Sequence, residues 1–308
     1  MIHTQNLTKQ FGDHLAVDRL TLDIAEGEVF GFLGPNGAGK TTTIRMLTSL
    51  IMPTAGSARV LGYEVGRDDQ QIRRNVGILT ETPGMYDRLS ARRNLAIFAR
   101  LYEVANVDAQ VEKYLKLLGL WERRDDPVGE FSKGMRQKLA IGRALLHEPR
   151  VLFLDEPTAA LDPEASRLVH DFISELKGEG RTIFLCTHNL DEADRLCDRV
   201  AVFKTRLRVV DTPGKLRRQV YGRQIVVHLG NEADPYLAGL RALPFIKEAE
   251  VSDGKLLLTL DDPETHNPAI IRQLVAAGAD IQFVGEVRYT LEDVYLQLVK
   301  DDAAEPAR

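Results

Sequence analysis

Four short segments carry residues whose types and spacing suit phosphate chemistry. The first is Gly34-Pro35-Asn36-Gly37-Ala38-Gly39-Lys40-Thr41, between an apolar run and a helix-like one. Glycines at this spacing let successive backbone N–H groups turn inward, and the helix start beyond them adds a positive dipole, so the segment suits a polyphosphate. In that pattern Lys40 reaches the β- and γ-phosphates and the Thr41 hydroxyl ligates Mg²⁺. The plain alternative is a tight glycine turn with a surface lysine. The second segment, VLFLDEP, ends an apolar strand on Asp155 and Glu156. Asp155 can hold the Mg²⁺ shell there, and Glu156 can polarise an attacking water. The third, TIFLCTH, ends on His188, placed as a γ-phosphate contact or as a simple polar cap. The fourth, EFSKGMRQKLAIGRALL, opens a helix at Ser132 and Gly134. This second phosphate-sized helix start has no evident task in a chain that already carries one.

The elements around these segments alternate. GEVFGFLG, RVLFLDEP and RTIFLCTH read as buried strands entering turns, and KTTTIRMLTSL as a helix. That order predicts an α/β fold on a largely parallel sheet, with ligands at the carboxyl ends of its strands. Residues 83–146 read as a helical insertion, since NLAIFARLY and VEKYLKLLGLW carry helical patterns with no strand between them. DTPGKLRR, residues 211–218, reads as a linker between a first domain at 1–214 and an accessory domain at 215–308. The accessory domain shows the order β-α-β-β-α-β, with a hairpin turning at Asp253-Gly254, which predicts a small ferredoxin-like α+β domain. A last helix begins where Thr290 and Asp293 stand in capping-box relation. The final stretch, DDAAEPAR, reads as a disordered tail.

The 308 residues hold 40 Lys+Arg against 45 Asp+Glu, a net charge of −5 that argues against a nucleic-acid partner. Two cysteines make no disulfide framework and suit a reduced compartment. No leader is legible, and no apolar stretch is long enough to span a bilayer, so work at a membrane requires another chain.

Taken together, these motifs resemble the ATP-binding subunits of ABC transporters over residues 1–214. The resemblance accounts for the second helix start, because in that family two subunits stack head to tail and each completes the other's ATP site. It implies that Ser132 and the backbone at Gly134, within Phe131–Met135, donate to the γ-phosphate held by the partner. It also implies adenine stacking by Phe11, an α-phosphate contact from Thr42, and an interface aspartate at Asp162. His188 matches the family's switch histidine. Two departures stand out. FSKGM replaces Leu-Ser-Gly-Gly-Gln, leaving Lys133 near the γ-phosphate or in solvent. Glu81 replaces the usual glutamine that contacts Mg²⁺ or water, and it adds negative charge at the catalytic position.

The departures resemble the branch that pairs with separate ABC-2-type permeases, which includes drug, sodium and polymer exporters. The resemblance implies an ATPase driving export, two identical subunits, and peripheral attachment at the cytoplasmic face of the inner membrane through a permease. Met85, Tyr86 and Leu89 are candidate permease contacts or internal packing residues. A soluble ABC ATPase, acting as a regulator or a ribosome-associated factor, is the alternative. The accessory domain is expected to stabilise the dimer or regulate it.

Overall fold

The computed structural model describes residues 1–80, 84–159 and 161–304, in two compact units, Met1–Thr212 and Pro213–Arg308. The first unit opens with strands β1 (Ile2–Phe11), β2 (His14–Ile24) and β3 (Val29–Leu33), then α1 (Lys40–Leu47), β4 (Ala55–Val60) and β5 (Tyr63–Glu64). It continues through α2 (Asp69–Asn75), β6 (Val76–Leu79) and three helices, α3 (Ala91–Leu101), α4 (Val107–Leu117) and α5 (Lys133–Leu145). It closes with β7 (Val151–Asp155), α6 (Pro163–Gly178), β8 (Thr182–Thr187), α7 (Leu190–Leu196), β9 (Arg199–Lys204) and β10 (Arg206–Asp211).

The central sheet has the order β10-β9-β3-β8-β7-β6, and all its neighbours run parallel except the β9–β10 pair. Strands β3, β7 and β8 are buried at every position, as continuous apolar runs covered on both faces must be. Phe30, Phe32, Phe153, Phe184 and Phe203 pack one against the next, with ring centroids 4.6–5.9 Å apart. This packed centre fixes the ends of the three strands expected to carry the site.

A second sheet, of order β2-β1-β4-β5, is wholly antiparallel and was not legible in the sequence. Register shifts along β1 break the strict alternation that would have marked it. Helices α3, α4 and α5 fall in the expected insertion, and their buried faces join one core with the central sheet.

The boundary between the two units falls inside the expected linker at 211–218, although most of that stretch is helical. Asp211 ends β10, and Pro213 opens a helix, α8 (Pro213–Tyr221). Proline's fixed φ suits a first helical turn, so the Pro-Gly pair starts an element rather than interrupting the chain. There follow β11 (Arg223–Leu229), α9 (Leu237–Arg241), β12 (Glu248–Ser252), β13 (Lys255–Leu260), α10 (Pro263–Ala276), β14 (Ile281–Glu286) and α11 (Leu291–Ala304). Their antiparallel sheet, β12-β13-β11-β14, has the ferredoxin-like order. Asp253 and Gly254 turn the hairpin with φ of 50° and 74°, the pair of positive values a type I′ turn requires. Thr290 and Asp293 exchange reciprocal bonds as a capping box, at 2.8 and 3.2 Å. Helix α11 extends to Ala304, into the stretch expected as a tail.

Candidate nucleotide site

Strands β3, β8 and β7 lie side by side, with Leu33 opposite Thr187 and Asp155 opposite Cys186. The loop after β3 and the residues ending the other two strands therefore emerge at one sheet edge. Between Gly34 and Thr41 the chain turns on Gly37 (φ +79°) and Gly39 (φ +104°), values that favour glycine. Gly34 is needed for space: a Cβ there would sit 2.2 Å from the Phe203 carbonyl oxygen. Gly34→Ala is accordingly expected to displace the loop, lowering stability by about 1–3 kcal/mol and weakening nucleotide binding. Thermal melts with and without ATP check this.

Lys40 is only 6% exposed. Its ammonium donates to the carbonyls of Gly34 (2.6 Å) and Pro35 (3.4 Å) and lies 3.2 Å from Glu156 Oε1. That oxygen has no hydrogen-bond partner, so the contact is an ion pair. The other carboxylate oxygen accepts from the His188 backbone N–H at 3.3 Å and lies 2.8 Å from His188 Nδ1. The backbone of Glu156 is left-handed, with φ +52°, a conformation that costs a non-glycine residue about 1–3 kcal/mol. Its N–H donates to the Cys186 carbonyl at 2.9 Å, which ties the strained turn to the neighbouring strand. Burial, with Asp155 adding to it, holds the Cys186 thiol well above the usual thiol range, so this cysteine is no nucleophile at neutral pH.

Beside this chain of charges, the Thr41 hydroxyl donates to Asp155 Oδ2 at 2.7 Å. The two groups are hard oxygen donors converging at the mouth of the loop. Mg²⁺ takes such a small protein share of its ligands when substrate phosphates and water supply the rest, so these residues fit it. Residues Pro35–Thr42, Asp155 and Glu156 line one cavity of about 310 Å³ together with His14 and Ala16. His14 and Ala16 come from β2 and escaped sequence reasoning. The only hint was their nearness to Phe11.

The remaining expected residues lie elsewhere. Phe11 ends β1, half exposed, with the Lys9 ammonium 4.9 Å from its ring centroid, and it does not line the cavity. Ser132 caps α5, accepting from the Met135 N–H at 3.2 Å. Phe131 is buried, whereas Ser132 and Lys133 are exposed. Gly134 faces Ala165, whose Cβ would lie 3.2 Å from an added one. Asp162 is exposed and caps α6, accepting from the Ala165 N–H at 2.8 Å. Gln137, missed in the sequence, donates to the Pro157 carbonyl at 2.7 Å and ties α5 to the turn that carries Glu156. Glu81 lies outside the described residues.

Comparison with known proteins decides what such a site belongs to. Residues 17–159 match the model of the ABC transporter family, and residues 212–299 match the ATP-binding protein DrrA1-3-like C-terminal domain. The bacitracin transport ATP-binding protein BcrA of Bacillus licheniformis is 43% identical over 323 residues, covering 97% of each chain. The chain belongs to the ATP-binding subunits of ABC transporters. The daunorubicin resistance ATP-binding protein DrrA3 of Streptomyces coeruleorubidus is 37% identical over 298 residues, covering 96% of this chain and 94% of that protein. A solved ATP-binding subunit of an ABC transporter superposes with a TM-score of 0.67 at 30% identity, over 72% of this chain and 94% of its own. This ABC subunit is therefore an ATPase whose hydrolysis powers transport, on the P-loop fold expected from its motifs. Among its described residues no helix is long and apolar enough to cross a membrane.

Proposed function

We propose that this ABC subunit binds Mg²⁺-ATP in the loop Gly34–Thr42 and hydrolyses it between two copies of the chain, driving export through an ABC-2-type permease. The observation that carries the reading is the relay beside the phosphate loop in which the buried pair Lys40–Glu156 meets the exposed His188. Phosphoryl transfer needs a water-orienting base, a cation at the phosphates and a donor for developing charge, all fixed in advance. Glu156 is the base, Lys40 the cation, and His188 both steadies Glu156 and reaches the γ-phosphate. Thr41 and Asp155 would hold Mg²⁺, which would supply positive charge against the phosphates. Glu81 would act beside them, and Phe11 would stack on adenine.

What supports a shared site is that Ser132 and Gly134 do not line the cavity formed by their own chain's loop, while Ser132 is exposed at a helix start. Asp162 stands at another exposed helix start, suited to the same interface. Export rather than import is supported by the resistance protein among the relatives. The DrrA-like segment at 212–299 points to the same branch, and its ferredoxin-like domain would stabilise or regulate the dimer. Attachment to a membrane would come through the permease.

Turnover measured against Mg²⁺ tests the chemistry. It is expected to require the ion and to fall by about 10²-fold in Asp155→Asn, since a lost metal ligand weakens charge stabilisation in the transition state. Unchanged turnover in chelator would contradict the assignment. Co-expression with the cognate permease should move the chain to the membrane fraction, and recovery there without any permease would contradict the partner.

A further inference from the structure

We propose that Arg136 and Arg143 are positioning residues that strap the segment Gly84–Leu89 to the signature helix α5, so that its motion and that of Ser132 are one. Seven residues separate the two arginines, placing them about two turns, or roughly 10 Å, apart on one helix face. Each grips one end of the segment. Arg143 donates to the Gly84 carbonyl at 2.6 Å, and its guanidinium lies 5.0 Å from the Phe98 ring centroid. Arg136 donates to Asp87 Oδ1 at 2.9 Å and to the carbonyls of Gly129 (2.9 Å) and Phe131 (3.3 Å), the last being the residue before Ser132. The Gly129 N–H closes the same ring onto the Asp87 carbonyl at 2.9 Å.

The other side of the segment is pinned to α3. Fully buried Asn94 accepts from the Tyr86 N–H at 2.9 Å and donates to the carbonyls of Tyr86 (3.1 Å), Leu89 (3.2 Å) and Ser90 (3.1 Å). A loop fixed this way cannot shift alone. Charge-assisted and multidentate contacts of this kind favour rigid-body motion of the joined elements. Tyr86 stands 53% exposed on the strap, so a partner pressing there would act through the arginines on the start of α5. The inference rests on the proposed shared site and on a permease contact at the exposed Tyr86, while Met85 packs against the core. It adds the side chains that link the two.

Hydrogen exchange on the full chain tests it in a Glu156→Gln background, with dimerisation followed by sedimentation in the same samples. ATP is expected to drive dimerisation and to slow exchange at residues 84–89 by about tenfold or more. Adding Arg136→Ala and Arg143→Ala should leave an ATP-dependent dimer while reducing that slowing to less than about twofold. Slowing that persists in this variant overturns the proposal, as does dimerisation without slowing at 84–89 in the parent. Absence of any ATP-dependent dimer in the parent instead overturns the shared site on which the proposal rests. Should the double alanine variant fail to fold, Asp87→Arg alters an exposed side chain only. It should lose the slowing, and adding Arg136→Asp should restore it, whereas equal loss in both variants contradicts the strap.

Discussion

Glu156→Gln is expected to lower ATP turnover by about 10²–10⁴-fold, the usual worth of a positioned general base, while leaving ATP bound. The amide keeps the shape of the side chain and can still bond His188, so the left-handed turn at residue 156 survives. What it loses is the negative charge that draws a proton from water. Lys40 loses its ion-pair partner but keeps its bonds to the Gly34 and Pro35 carbonyls, and ATP supplies it with new negative charge. The variant should therefore bind ATP at least as tightly as the parent and accumulate as the ATP-bound dimer. Single-turnover hydrolysis and sedimentation with ATP check both halves. Hydrolysis within tenfold of the parent would remove Glu156 from the role of base.

Lys40→Ala is expected to act on both binding and stability. Its ammonium is the cation of the phosphate loop, and the loss of one such preorganised group costs about 10²–10³-fold in rate. The variant also leaves Glu156 Oε1 buried without a counter-charge. Breaking a buried ion pair by removing one partner costs up to about 3–5 kcal/mol, and His188 beside the other oxygen offsets part of this. Thermal melts should show a lower Tm that ATP no longer raises. A Tm that still climbs with ATP would mean that the loop binds nucleotide without this lysine.

The contrast between these residues and the rest of the site shows where sequence reasoning reaches. Lys40, Thr41, Asp155 and Glu156 were legible because each sits at the end of a short apolar strand or in a glycine pattern, and both are local signals. The 3.2 Å contact between Lys40 and Glu156 depends on β3, β8 and β7 being neighbours, which no local pattern encodes. His14 and Ala16 were missed because the antiparallel sheet that carries them has an irregular first strand. Helix α8 was not legible because Pro-Gly signals a linker as readily as it signals a helix start. The strap at Gly84–Leu89 has no periodic signal at all, since side chains from α3 and α5 fix it. Ser132 was legible as a helix cap. Its proposed task belongs to a second chain, and only the family resemblance supplied it.

Mixing two inactive variants measures the shared site most directly. In Lys40→Ala every phosphate loop of the dimer is defective, and in Ser132→Glu every signature start is. If each ATP lies between the loop of one chain and the signature of the other, a mixed dimer contains one site with both defects and one with neither. Random pairing in this two-fold arrangement should then restore ATP turnover to on the order of a quarter of the parent level. If Ser132 serves the ATP bound by its own chain, every site in the mixture keeps a defect, and turnover that stays at the level of the separate variants would contradict the account.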